Sequence, residues 1–446
     1  MAEPIISVSG LRGVVGDTLT PQVANRYASA FAHTVPEGGL VVTRDGRASG
    51  LHFADMVCQT LNSLGRDVIN AGVAATPTTG VLIRDLKFSG GIQISASHNP
   101  AEYNGIKLFG PDGRVISAGL GQQILDRYRR PIDPLDDQAT FGTVRSSVDT
   151  ISAHAKLVLK TVDADSISAK KYKVVLDSNH GAGSLLGRKL LNRLGCDFQL
   201  LGTPPDGQFE HLPEPTAENL KELCGTITEN HAQVGFAQDP DADRLALIDE
   251  TGRYVGEEYT LAVCLDYVLR HTPGPVVTNC STSRMSEDLA ARYGVPFFRS
   301  KVGEANVCDL MIEKAAIFGG EGNGGPIDPR VGYVRDSFVG MALVLASMAE
   351  QDKPLSVIVD DLPRYEIHKT KVALAQQEIA DVEDRLREHF ADATADTMDG
   401  LRLDWPGRWL LVRASNTEPI VRIIAEAESA KVSQKLCEEA RDVIAT

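Results

Sequence analysis

Gly91-Ile92-Gln93-Ile94-Ser95-Ala96-Ser97-His98-Asn99-Pro100 joins an apolar run, read as a buried strand, to a loop of small and polar residues that ends it. A strand that breaks into two serines, a histidine and an Asn-Pro turn presents chemistry at the tip of a sheet. Small neighbours let a large anionic ligand approach the backbone, and a serine hydroxyl there can attack phosphorus or carry a phosphate. The surrounding pattern occurs three times. A Val-Val strand runs into a polar loop at Val41-Val42-Thr43-Arg44-Asp45-Gly46-Arg47, at Val174-Val175-Leu176-Asp177-Ser178-Asn179-His180 and at Val276-Val277-Thr278-Asn279-Cys280-Ser281. After each copy a second apolar strand breaks into a loop rich in glycine or aspartate, within 92–100, 234–244 and 316–325. Self-similarity on this scale predicts three similar α/β domains in tandem, with mixed sheets between helices such as 53–64, 185–194 and 284–293.

The first copy is longer, and its surplus holds the turn sequence Gly110-Pro111-Asp112-Gly113, read as a hairpin at the domain edge. The C-terminal part differs in kind. Helical periodicity over 379–390 precedes short strands near 401–403 and 409–412, a loop over 413–419, a strand over 420–425 and an amphipathic helix from Lys431. This reads as a smaller α+β domain. The expected domains are 1–155, 156–255, 256–365 and 366–446.

Composition narrows the function. The net charge of −15, from 45 basic and 60 acidic residues, argues against nucleic acid as a partner. A few arginines in one cleft still suffice for a small anionic substrate. Seven dispersed cysteines with no Cys-x-x-Cys pair disfavour a disulfide framework or zinc site and point to a reducing cytoplasm. The N-terminus shows no apolar signal core, and the longest apolar run, 338–349, is too short for a bilayer, so no membrane association is expected.

Three further loops carry chemistry. Asp239-Pro240-Asp241-Ala242-Asp243-Arg244 sets carboxylates at alternate positions, pinned by a proline. Hard cations such as Mg²⁺ take such oxygen ligands, although Asx-rich turns also use aspartate freely. An EF-hand is excluded because its later ligands and closing glutamate are missing. Gly319-Gly320-Glu321-Gly322-Asn323-Gly324-Gly325 has neither the Gly-Lys-Ser/Thr of a Walker loop nor dinucleotide spacing. Its Glu321 and Asn323 suit vicinal sugar hydroxyls, or are exposed polar groups of a glycine turn. Arg413-Ala414-Ser415-Asn416-Thr417-Glu418-Pro419, with Arg422 nearby, offers a clamp for a phosphate dianion or a capped turn before a strand. Arg12, Lys107, Arg244 and Lys301 read as cleft cations or as ordinary surface charges. His98, beside the Asn-Pro turn, reads as a residue that fixes the loop.

In this order the loops resemble those of the α-D-phosphohexomutase superfamily: phosphoglucomutases, phosphomannomutases and phosphoglucosamine mutases. The resemblance covers essentially the whole chain and implies three similar α/β domains and a smaller fourth around a central cleft. It implies that Ser97 carries the catalytic phosphate and joins Asp239, Asp241 and Asp243 around Mg²⁺. It places Glu321 and Asn323 at the sugar hydroxyls, and Arg413, Ser415, Asn416, Thr417 and Arg422 at the distal phosphate. His98, Arg244 and Lys301 would contact substrate, while Lys107, ahead of Arg12, would help move a proton. Two departures stand out: Asn323 where many bacterial members have Ser, and Gly325 where several have a proton-transferring His. The Glu-Gly-Asn-Gly-Gly form is more similar to archaeal-type phosphoglucosamine mutases. The implied reaction exchanges hexose 1-phosphate and hexose 6-phosphate through phosphoserine and a hexose 1,6-bisphosphate, which also serves as activator. Glucosamine phosphate is the expected substrate, with glucose or mannose phosphate next. A metal-dependent sugar-phosphate phosphatase and a silent sugar-phosphate sensor are the readings of other classes. The enzyme is expected as a monomer or homodimer.

Overall fold

The computed structural model describes residues 3–7, 10–130, 140–146, 148–373, 379–414 and 420–445. The Val-Val repeat is a structural repeat. The strands Leu40–Arg44, Lys173–Asp177 and Val276–Asn279 each lie between two parallel neighbours. One neighbour in each case is the second apolar strand: Gly90–Ile94, Val234–Gln238 or Phe318–Glu321. That strand then pairs antiparallel with the next one, Tyr103–Phe109, Leu245–Asp249 or Gly325–Ile327. The three candidate loops at Ser97, Asp239–Asp243 and Gly322–Gly324 therefore occupy the same place in three copies of one unit. Equivalent loops at equivalent sheet ends are what allow one cleft to collect them.

The first sheet is larger than the repeat requires. Ile5–Ser7 and Gly10–Val14 extend it antiparallel beyond Tyr103–Phe109, and Val144–Arg145 pairs with Val68–Val73, giving seven strands. Gly110 to Gly113 forms a tight turn, with Gly113 N–H donating to Gly110 O at 3.0 Å. The run at 338–349 lies in the helix Ser337–Gln351, which packs against Glu257–His271 in a core shared by the second and third units. A helix apolar on all sides is stable only when buried all round. Asp336 caps it, accepting from Phe338 and Val339 N–H at 2.9 and 3.2 Å. The other Asp336 oxygen meets His154 Nε2 at 2.7 Å, and His154 Nδ1 meets Thr78 Oγ1 at 2.9 Å. One buried chain of hydrogen bonds thus joins Thr78 of the first unit to Asp336 of the third.

The fourth domain is a five-stranded antiparallel sheet whose helices Ile379–His389 and Ala430–Ala445 cover one face. Its first strand, Glu366–Ala373, was not expected from sequence, because its alternation sets only Ile367 and Val372 among polar and charged residues. The opposite face turns Trp409, Leu411 and Ile424 onto Cys280 of the third unit. Farther along the same face, paired positions bring Lys371 opposite Arg422 and Arg422 opposite Arg413.

Candidate active site

The Ser97 loop is held by a residue that sequence reasoning left without a chemical role. Arg47, 2% exposed, donates to the carbonyl oxygens of Ser97 at 2.7 Å, Asn99 at 2.6 Å, Pro100 at 2.7 Å and Tyr103 at 3.1 Å. Its charge is balanced by Asp45, 3.1 Å away, which also accepts from Ser95 Oγ at 2.7 Å. Ser97 itself adopts a left-handed backbone (φ 51°), a conformation that a non-glycine residue keeps only when its surroundings enforce it. The serine was expected at an open sheet tip. It is instead completely buried, because its loop is tied down by Arg47 and its Oγ donates to Asp239 Oδ2 at 2.8 Å. His98 Nδ1 lies 3.3 Å from the same Oγ. Arg244, burial and Arg12 press His98 far below the usual histidine range, so the ring is neutral. Arg12 donates to Asn99 Oδ1 at 2.9 Å, placing a second cation beside the loop.

Asp239, Asp241 and Asp243 are all fully buried and present oxygens within 4.8 Å of one another. Asp239 Oδ1 accepts from the N–H groups of Asp243 and Arg244, both at 3.1 Å, which closes the loop on itself. Burial and its two neighbours push the Asp239 carboxyl well up. Burial acts the same way on Asp241 and Asp243, but cations reverse it: Lys107 holds Asp241 below the usual carboxylate range, and Arg335 with Lys107 does so for Asp243. Asp241 Oδ1 and Asp243 Oδ1 are buried without a hydrogen-bond partner. Two orphaned carboxylate oxygens beside a third carboxylate and a serine oxygen suit a hard divalent cation, which takes oxygen ligands.

Lys107 was expected to move a proton. Its Nζ is clasped by Asp241, lies 3.0 Å from Asp243 Oδ2 and donates to Thr76 Oγ1 at 3.2 Å. Burial opposes its charge, yet the two carboxylates raise its pKa above the usual lysine value. Arg244 only grazes Asp243, with Nε 4.0 Å from Oδ1. Arg335, which sequence reasoning missed, joins the acid cluster to the sugar loop: it donates to Asp243 Oδ2 at 2.7 Å and to Glu321 Oε2 at 2.9 Å. Nothing in its neighbourhood in the chain marks it out; only the meeting of the second and third units does.

Beyond Arg335 opens a cavity of about 510 Å³ between the third and fourth domains. Its sugar-loop wall includes Asn279, Glu321 and Asn323, and its far wall Lys369, Lys371, Arg413 and Arg422. Glu321 already accepts from Asn279 Nδ2 at 2.7 Å, Gly303 N–H at 3.1 Å, Arg335 at 2.9 Å and Asn323 Nδ2 at 3.4 Å. Asn323 Oδ1, by contrast, is buried with no partner. Arg413 is oriented by Asp399, 3.3 Å from its Nε, and Asp399 also accepts from Val302 N–H at 2.9 Å. Lys301, next to Val302, is exposed and is not among the residues lining the cavity. Ser415, Asn416 and Thr417 lie outside the described residues. Lys369 and Lys371 were missed with the strand that carries them.

The chain matches the phosphoglucomutase/phosphomannomutase α/β/α domain I over residues 5–133, domain II over 152–252, domain III over 257–365 and the C-terminal domain over 369–443. It is 33% identical over 443 residues to a Methanopyrus kandleri protein named "Probable phosphoglucosamine mutase", covering 98% of this chain and 96% of that one. It is 35% identical over 438 residues to a "Phosphoglucomutase/phosphomannomutase" of Thermococcus kodakarensis, covering 96% of each. Among solved structures, a phosphoglucomutase/phosphomannomutase family protein of Burkholderia thailandensis superposes with a TM-score of 0.82 at 26% identity, covering 99% of this chain and 98% of that one. The chain belongs to the phosphoglucomutase/phosphomannomutase family, and it is a phosphohexomutase: an isomerase that moves a phosphoryl group within a hexose phosphate.

Proposed function

We propose that this phosphohexomutase interconverts glucosamine 6-phosphate and glucosamine 1-phosphate, using phosphorylated Ser97 and a hexose 1,6-bisphosphate intermediate. The observation that carries the reading is the unbroken path from Ser97 through Asp239 and Asp243 to Arg335, Glu321 and the cation-lined cavity. A phosphoryl-transfer end and a phosphate-holding end are thereby joined across a space that suits a hexose. The M. kandleri relative favours the amino sugar, and the T. kodakarensis relative supports glucose or mannose phosphate as the second reading.

In the first half-reaction a sugar hydroxyl attacks the phosphorus on Ser97. The P–O bond to Oγ breaks as the bond to the sugar oxygen forms, and the hydroxyl proton is released as Oγ recovers one. The bisphosphate then turns over in the cavity. Ser97 Oγ attacks its other phosphate, and the isomeric monophosphate leaves. A phosphoserine carries about −1.5 to −2 charges at neutral pH, which Arg12 and Arg244 stand ready to balance. Asp239, Asp241, Asp243 and the serine oxygen would hold Mg²⁺, which when bound withdraws charge from the phosphoryl oxygens. Lys107 keeps Asp241 ionised, and Arg335 with Lys107 keeps Asp243 ionised. The phosphate that is not reacting rests against Arg413, Arg422 and Lys371, with Ser415, Asn416 and Thr417 assigned there by resemblance. Asn323 Oδ1 accepts from a sugar hydroxyl.

All seven cysteines are free thiols, supporting a cytoplasmic setting, and among the described residues no helix is long and apolar enough to cross a membrane. The test is a panel of glucosamine, glucose and mannose 1-phosphates with Mg²⁺ and catalytic bisphosphate, following isomerised product and free phosphate separately. Fastest isomerisation of glucosamine 1-phosphate is expected; release of phosphate without isomerisation would overturn the reading.

A further inference from the structure

Resting on the phosphohexomutase reading of this cavity, we propose that Glu258 recognises the substituent at C2 of the sugar and confers preference for an amino sugar. Glu258 opens the helix Glu257–His271 and lines the cavity beside the sugar loop. Its carboxyl lies flat against Gly322. A Cβ added at 322 would meet Glu258 Oε2 at 1.9 Å, Cδ at 2.2 Å and Oε1 at 2.2 Å. Gly322 is not in the left-handed region, unlike Gly320 and Gly324 in the same loop. Its missing side chain is therefore a matter of space: position 322 is kept bare so that a carboxyl from another element can stand between Glu321 and Asn323.

That carboxyl is under-used by the protein. Oε2 accepts from Ser283 N–H at 3.0 Å. Among the described residues no other hydrogen bond and no ion pair is made to it. Lys369 on the fourth domain, Glu426 on the neighbouring strand and Glu257 on its own helix are the charged groups that face it. Burial, against the partial pull of Lys369, raises its pKa to about 8. The contrast with Glu321 is direct, since Glu321 already accepts from four protein donors. Of the two acids on this wall, Glu258 is the one with capacity for a ligand.

The donor that best answers a half-buried carboxyl with a single protein hydrogen bond is a cation. An ammonium at C2, in the orientation that turns C2 toward this wall, supplies a charge-assisted hydrogen bond and draws the carboxyl into its ionised form. The C2 hydroxyl of glucose or mannose offers a neutral donor only. A polar group buried to meet a specific partner discriminates strongly against an analogue lacking it.

The experiment compares the Mg²⁺-loaded, bisphosphate-activated enzyme with Glu258→Gln on glucosamine, glucose and mannose 1-phosphates. The substitution keeps shape and removes charge. The expected result is a fall of about 10- to 100-fold in kcat/KM for glucosamine 1-phosphate relative to the fall for glucose 1-phosphate. Gly322→Ala, which drives a methyl group into the carboxyl, carries the same expectation should Glu258→Gln not fold. Parallel loss on all three sugars, or an unchanged ratio in both variants, would overturn the proposal while leaving the mutase reading intact. A wild-type enzyme inactive on every hexose phosphate would remove that reading, and this inference with it.

Discussion

The two ends of the cleft are built on opposite principles. At the serine end, Ser97 and the three aspartates have no exposed surface, and their loops are locked by Arg47, Lys107 and Arg335. At the far end, Lys369, Lys371 and Arg422 are exposed on an antiparallel sheet. Like charges placed directly across strands destabilise a sheet, and Lys371, Arg422 and Arg413 stand in one such row. The first arrangement fixes geometry before the substrate arrives, as phosphoryl transfer demands. The second sets cations side by side, and on the proposed function a phosphate dianion would relieve their repulsion in either orientation of the sugar. Chemistry is preorganised, whereas holding is adaptable.

The largest test of this contrast is Ser97→Ala. It should lower turnover by at least about 10⁴-fold with a folded protein, measured in a coupled isomerisation assay; near-normal turnover would end the assignment of the serine end. Arg335→Met comes next. Removing one member of a buried ionic cluster costs about 3–5 kcal/mol, because Asp243 and Glu321 lose their shared partner. A marked fall in the denaturation midpoint together with a loss of about 100-fold in kcat is expected; loss of KM alone would place Arg335 with the binding end instead. For Lys371→Ala and Arg422→Ala the comparison predicts the reverse division: KM up about tenfold, kcat within a few-fold, and stability unchanged or improved, read by steady-state kinetics and melting. A kcat loss like that of Arg335→Met would show the two ends to be one machine.

The smallest effect is on pH. Burial raises the carboxyls of Glu257 to about 7 and Glu258 to about 8. A carboxyl with a raised folded pKa holds its proton more tightly folded than unfolded. Its stabilising contribution is complete below the ordinary carboxyl range, falls as pH rises above that range and is fully lost once pH passes about 7 to 8. Denaturation of the ligand-free protein should show stability from these groups declining across that window, and Glu258→Gln should flatten the decline.

The loops at Ser97, Asp239–Asp243 and Gly322–Gly324 were legible because each gathers its polar or glycine residues within a few consecutive positions, and the Val-Val repeat pointed to their equivalent places in the fold. The surroundings of Lys107 were not legible. Lys107 looks free on a short strand and becomes a captive ammonium only when two aspartates from the next unit close on it. Arg47 appears as one more residue of a polar loop until its guanidinium is seen collecting four carbonyls. The strand Glu366–Ala373 escaped notice because half-exposed edge residues leave a weak alternating pattern.

From its sequence alone this protein determined its repeated α/β units and the positions of its serine and aspartate loops, since strand periodicity and contiguous polar residues act over short chain distances. Tertiary structure alone decided which cation faces which acid, that Ser97 is sealed from solvent, and that Glu258 reaches the space above Gly322. Those outcomes depend on burial and on separations of a few ångströms between residues far apart in the chain, and no local pattern encodes them.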